Sequence, residues 1–335
     1  MKRLLYLFLM ATSHVLFASP FAYVTNYTAD TISIFDLATN ATTGYVNTGS
    51  FNISNPIYVR HAPSGTKAYL LTDVSSLGFV IDTSTDTITS QIDSSTFPFS
   101  APVMVAFSPD GTKAYVSNEI SNNISIIDVS TDTITGYVNA NGFPFDLPIG
   151  VAFSPDGSTA YVVNYNGNNI SVIDVATDTV LGYVSNGSFT LDNPVYAAFI
   201  GNTKAYVDSF NNTLVYIIDV GTSTITGSLS VGSNPFSFPG FVAITPDATG
   251  VLVINEGTDQ ISVGATSTDT ISGYVTGSFS TPRYLGITAD SSTAYIPNFS
   301  NDTINIVDIA TATVTGTVTT SSFPLTTPYS ISISP

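Results

Sequence analysis

Ala114-Tyr115-Val116-Ser117-Asn118 and Ala160-Tyr161-Val162-Val163-Asn164 are two copies of one short pattern, and the reading of the fold turns on them. The same pattern stands at Ala22-Tyr23-Val24-Thr25-Asn26, Ala68-Tyr69-Leu70, Ala205-Tyr206-Val207, Val251-Leu252-Val253-Ile254-Asn255 and Ala294-Tyr295-Ile296-Pro297-Asn298. The central residues 23, 69, 115, 161, 206, 252 and 295 are 46, 46, 46, 45, 46 and 43 residues apart. A period of this size marks a repeat architecture, in which each unit buries its faces only against its neighbours.

Around each copy the chain reads as four short strands. A strand opens on proline, as in Pro102-Val103-Met104-Val105-Ala106-Phe107, and ends at a turn such as Ser108-Pro109-Asp110-Gly111. Proline presets φ in such a turn, and glycine accepts the positive φ at the reversal. The Ala-Tyr-Val strand follows. A polar Asn-rich loop then leads to Ile124-Ser125-Ile126-Ile127-Asp128, and the turn Ser130-Thr131-Asp132 opens Ile134-Thr135-Gly136-Tyr137-Val138. Four antiparallel β-branched or aromatic strands in about 45 residues predict one propeller blade, so the chain predicts an all-β, seven-bladed β-propeller. Phe21–Asn26 reads as a second strand with no first strand before it, and Pro328–Pro335 matches a first strand and stops. The tail is therefore expected to complete the blade that the head begins.

The Ala-Tyr-Val-x-Asn strand, the Ser-Pro-Asp-Gly turn, the Ile-Ser-Val-Ile-Asp strand and the Thr-Asp-Thr-Ile turn resemble the YVTN family of β-propeller repeats. The resemblance covers essentially residues 20–335, with departures at Gly264, Thr72 and Ser209. It implies a seven-bladed propeller in bacterial or archaeal envelope or surface-layer-associated proteins. Related propellers include lactonase-like enzymes and the haem-binding domain of a nitrite reductase.

Met1-Lys2-Arg3, an apolar run from Leu4, and Ala18 read as a secretory signal peptide over 1–18, which leaves 19–335 as a single propeller domain. No later stretch is apolar enough for a transmembrane helix. The expected location is secreted, periplasmic or at the cell surface. Without Lys2 and Arg3, five basic residues face 24 acidic ones, a formal charge of −19. Nucleic acid is a poor partner for that charge. Cysteine is absent, which excludes disulfides, thiol catalysis and cysteine-ligated zinc. Beyond the leader, His61 is the one histidine, so a multi-histidine metal site is excluded within the chain. No cofactor is expected; a quinone or haem role is disfavoured, and an all-oxygen calcium site stays open.

The turn acids Asp36, Asp82, Asp128, Asp174, Asp219 and Asp308 are expected to bond backbone amides in their own turns, as are Asp86, Asp132, Asp178 and Asp269. The informative positions are breaks in the repeat. Four residues after the inner-strand proline stand Arg60, Ala106, Ala152, Ala198, Ala243, Gly286 and Ser332: six small residues and one arginine. One residue after the proline, Arg283 breaks a row of uncharged residues. Arg60, with His61, and Arg283 are therefore candidates for a positive spot in the central channel that would attract a small anionic ligand. Tyr58, Tyr196 and Tyr284, two residues after the proline, are candidates for lining the same pocket. The crossovers between blades all carry phenylalanine: Phe51, Phe97, Phe143, Phe189, Phe236, Phe279 and Phe323. They either pin the loops or form an apolar face for an envelope or extracellular protein. Taken together the sequence favours a binding or interaction module, adhesion included, over an enzyme. The alternative is a lactonase-like hydrolase with its site at the channel mouth.

Overall fold

The structure is a computed structural model that describes residues 20–318, 320 and 322–335. The expected leader, 1–18, lies outside the described residues. Twenty-eight strands form seven four-stranded antiparallel sheets, and no described residue is helical. The sheets are the blades of a seven-bladed β-propeller. Blade 1 combines Pro328–Ile333 with Phe21–Asn26, Thr31–Asp36 and Ala41–Tyr45. In it Ala22 pairs with Ile333, Tyr23 with Ser332 and Val24 with Ile331, so the tail closes the ring on the head as the repeat pattern predicts. Blades 2 to 7 follow in chain order, each running from inner to outer strand.

The Asn that ends most second strands has a structural role. Asn118 is fully buried; its Nδ2 donates to Ser125 Oγ at 2.9 Å and its Oδ1 accepts the Ser100 N–H of the incoming crossover. Asn164 ties Ser171 and Asp146 in the same way. Ser209 does part of this work in blade 5 by accepting the Asp192 N–H at 2.8 Å.

Two inner strands are short, for reasons visible in the strand beside them. Blade 7 has only Gly286–Ile287, because Pro297 in its second strand has no N–H to give to that edge. Blade 5 has only Ala197–Ile200. There the Asp208 side chain replaces ladder bonds, its Oδ1 accepting the Val195 and Tyr196 N–H groups at 2.8 and 3.0 Å.

Asp36, Asp82, Asp128, Asp174, Asp219 and Asp308 cap their own turns as expected; Ser130 N–H, for example, donates to Asp128 Oδ1 at 2.8 Å. The second set behaves differently, and the turn-capping expectation is corrected for it. Asp86, Asp132, Asp178 and Asp269 accept the hydroxyls of Tyr23, Tyr69, Tyr115 and Tyr206 from the preceding blade. In three of these cases a lysine joins: Lys67 to Asp132 at 2.8 Å, Lys113 to Asp178 at 2.6 Å and Lys204 to Asp269 at 2.6 Å. The acids sit at φ of 50–54°, a left-handed conformation that Asp tolerates better than most residues and that turns the carboxylate toward the neighbouring blade. Asn40 plays this part for Tyr295 at 2.9 Å. Opposite Tyr161 stands Ser223, and the Tyr161 hydroxyl is buried without a full hydrogen bond.

Candidate functional site

The inner strands of all seven blades line a half-open cavity of about 510 Å³ at the end of the ring where first and second strands turn. That volume lies in the range of roughly 300–1,000 Å³ typical of small-molecule pockets. Its walls are the small residues of the repeat row, Ala106, Ala152, Ala198, Ala243, Gly286 and Ser332, with Arg60 among them. Its rim carries Pro63, Pro109, Pro155, Pro246 and Pro335. Tyr58, Tyr196, Phe241 and Leu285 also line it. Tyr196 and Phe241 stack with centroids 4.6 Å apart, and Tyr284 meets Phe241 and Tyr58 edge-on at 5.2 and 5.4 Å. Tyr284 continues to Tyr329 at 5.8 Å, so a layer of rings crosses the channel. Gly150 lets this layer close: a Cβ there would collide with the Val195 carbonyl and Tyr196. The expected Tyr58 and Tyr196 therefore line the cavity, and Tyr284 packs against lining rings.

Arg60 is exposed, and among the residues that line the cavity it is the one Lys, Arg, Asp or Glu. Among the described residues Lys67, Lys113, Lys204 and Arg283 each hold a carboxylate in an ion pair, and Arg60 holds none. Burial raises the pKa of the neighbouring Tyr58 phenol, and the Arg60 charge partly opposes the rise. The structure does not bring Arg283 to Arg60. Arg283 is absent from the cavity lining and pairs with Glu256 at 3.3 Å. It sits at the opposite end of the inner strands, about 10 Å further along at ~3.3 Å per residue. The two arginines do not form one positive spot, and the charge of the cavity rests on Arg60.

His61, beside Arg60, also lines the cavity, with its ring packed between blades. It is 6% exposed, stacks on Tyr23 at 4.9 Å and meets Phe21 edge-on at 5.4 Å. Ser332 Oγ accepts the His61 backbone N–H at 2.9 Å and lies 2.9 Å from Nδ1. Burial, with the nearby Arg60 charge, pushes the imidazole pKa down to about 3, so the ring is neutral at ordinary pH. With the Ser332 hydroxyl donating to Nδ1, the ring proton falls on Nε2, which is buried without a partner.

The crossover phenylalanines are buried or half-buried. Phe97 and Phe143 lie edge-on to Tyr137 and Tyr183 at 5.5 and 5.4 Å, and Phe323 lies edge-on to Tyr45 at 5.4 Å. The same tyrosines donate to the carbonyls of Pro98, Pro144 and Pro324. Phe51 and Phe189 pack edge-on to Phe79 and Tyr216, and Phe236 and Phe279 belong to the core. These rings pin the crossovers. The large apolar residues that do reach solvent are Val74, Ile120, Leu181 and Phe238.

Asp208 is a residue that the repeat pattern did not single out. It is fully buried, its Oδ2 has no partner, and desolvation raises its pKa to about 8 against the pull of two backbone N–H groups. Among the described residues no three His, Asp or Glu side chains converge on a metal position. No described helix is long and apolar enough to cross a membrane.

No family model and no curated protein sequence matches the chain. Solved structures do. A functionally unknown protein from Desulfotomaculum acetoxidans superposes with a TM-score of 0.74 at 15% identity, covering 94% of this chain and 99% of that one. A "putative 6-phosphogluconolactonase" from Bacteroides uniformis gives 0.71 at 13% identity, covering 94% and 100%. Kuenenia stuttgartiensis hydrazine synthase gives 0.63 at 18% identity, covering 76% of each chain. At these identities the likeness establishes the fold alone. It is a seven-bladed propeller. What that propeller does has to be argued from its own side chains.

Proposed function

We propose that this chain is an exported binding module that takes a small organic anion at the Arg60 end of its channel. One observation carries the reading: an arginine without an ion pair faces a concave, pocket-sized space whose lining contains no Asp or Glu side chain. A guanidinium grips carboxylate or phosphate oxygens through paired N–H donors. Export rests on the leader pattern of residues 1–18, and N-terminal sequencing of protein recovered outside the cytoplasm tests it. The binding reading is tested by calorimetric titration with a panel of small organic anions at low salt. Saturable binding that weakens tenfold or more in Arg60→Gln supports it, since a hydrogen bond to a charged group contributes about 1.5–3 kcal/mol. Binding that is indifferent to Arg60 refutes it.

A lactonase-like hydrolase is the second reading, and the contact between Ser332 Oγ and His61 Nδ1 favours it. Against it, a base whose conjugate acid has a pKa of about 3 draws little on a serine proton. No Asp or Glu side chain lines the cavity, and Nε2 of the imidazole has no carboxylate partner to orient or recharge it. Hydrolysis of simple lactones or esters that is abolished in Ser332→Ala would overturn the preference for binding.

A further inference from the structure

We infer that His61 is a ligand-binding residue of this cavity: its Nε2–H gives the second hydrogen bond to an oxyanion that Arg60 grips, and Ser332 sets the tautomer of the ring. The inference rests on the anion-binding reading above. Three departures from the repeat carry it. Five residues after the inner-strand proline, Phe107, Phe153, Phe199, Ile244, Ile287 and Ile333 are apolar, and blade 2 alone has a histidine, His61. All seven line the cavity. In the small row one residue earlier, Arg60 is the one charge and Ser332 the one hydroxyl. The three departures meet on one side of the cavity, where the inner strands of blades 1 and 2 adjoin. There Ser332 Oγ accepts the His61 backbone N–H at 2.9 Å and lies 2.9 Å from Nδ1.

Packing does not account for an imidazole at this position. His61 stacks on Tyr23 of the preceding blade at 4.9 Å. Phe107, Phe153 and Phe199 pack on Tyr69, Tyr115 and Tyr161 of their preceding blades at 4.9, 4.7 and 4.6 Å. Phenylalanine therefore fills the same seat without burying a polar atom. What histidine adds is two ring nitrogens. Nδ1 has Ser332 Oγ, and Nε2 is buried with no partner. A buried N–H without an acceptor destabilises the fold, and an oxyanion brought in by Arg60 offsets that cost. With the Ser332 hydroxyl donating to Nδ1, the proton stays on Nε2; burial and the nearby Arg60 charge keep the ring neutral. The imidazole is thus a fixed donor and a poor base. Arg60 and Nε2–H serve two oxygens of one carboxylate or phosphate group.

The test is side-chain nitrogen NMR of histidine and arginine in the full chain, titrated at low salt with sodium acetate, sodium benzoate and inorganic phosphate. Calorimetry gives the affinities in wild type, Arg60→Gln, His61→Phe and Ser332→Ala. His61→Phe assigns the His61 signal. It and Ser332→Ala install residues that other blades carry at these positions, and circular dichroism and melting confirm that every variant is folded. At least one of the anions is expected to move the Nε2 resonance saturably, on the same binding curve as the Arg60 resonance. Its affinity should fall tenfold or more in His61→Phe, as for the loss of one hydrogen bond to a charged group. Ser332→Ala, which frees the tautomer, should weaken it by less. If an anion moves Arg60 and leaves His61 in place, or binds His61→Phe as tightly as wild type, His61 is only a ring in the stack and the inference fails while the anion site stands. If no anion binds, or binding ignores Arg60→Gln, the anion-binding reading itself fails.

Discussion

Replacing Asp132 by alanine should loosen the seam between blades 2 and 3 by about 1–4 kcal/mol. The Asp132 carboxylate accepts the Tyr69 hydroxyl at 2.5 Å and holds Lys67 Nζ at 2.8 Å. Tyr69 is fully buried, so the substitution strands a desolvated hydroxyl, which costs about 1–3 kcal/mol. The lysine pair is 24% and 20% exposed at its two side chains; screened by water, it adds at most about 1 kcal/mol. Lys67 also keeps its bond to the Val129 carbonyl at 2.9 Å. Urea unfolding of wild type, Asp132→Ala, Tyr69→Phe and the double variant measures the coupling. The double variant should lose less than the sum of the singles, with a coupling of about 1.5–3 kcal/mol. Asp128→Ala is the control: that exposed acid serves only its own turn, and its loss should cost about 1 kcal/mol or less. Additivity of the Tyr69 and Asp132 effects within about 0.5 kcal/mol would refute the latch.

Ser223→Asp should build the missing latch for Tyr161. A gain of about 1–2 kcal/mol in urea unfolding is expected because the buried hydroxyl finds an acceptor, as Tyr23 finds Asp86 without any lysine. Asp208 retains its proton in the folded state up to about pH 8, whereas the unfolded carboxyl loses it near 3.8. Native protein binds more protons over that window, so stability falls as pH rises, by about 4 kcal/mol between pH 4 and 7. Asp208→Asn keeps the carbonyl acceptor and lacks the titration; its stability advantage over wild type should widen from pH 4 to 8, and parallel curves would count against the assignment. Deleting residues 328–335 removes the inner strand of blade 1, and the melting temperature should drop on the order of 10 °C; an unchanged melting curve would contradict ring closure by that strand.

The architecture was legible because a propeller repeats its instructions. Each Ser-Pro-Asp-Gly turn and each Ala-Tyr-Val strand states the same hairpin again, and the unmatched strands at head and tail imply the closure seen at Tyr23 and Ser332. Arg60 was legible for the same reason, as the one large residue in a row of small ones. Long-range pairing was harder to read. The latch joins residues 63 and 65 positions apart, yet its signal was present: lysines 67, 113 and 204 are each followed 65 residues later by Asp132, Asp178 and Asp269. Arg283 was misplaced because its partner, Glu256, comes from a loop 27 residues earlier on the preceding blade. The crossover phenylalanines were ambiguous because periodicity fixes spacing along the chain and leaves open whether a loop residue turns in or out.

Side-chain nitrogen NMR of arginine tests the central claim most directly, because Arg60 and Arg283 are the arginines after residue 18. With the Arg60 signal assigned by Arg60→Lys, titration with a panel of small organic anions at low salt should move that resonance saturably for at least one of them and leave Arg283, held by Glu256, in place. A shift at Arg283 alone, or at neither, would contradict an anion site built on Arg60.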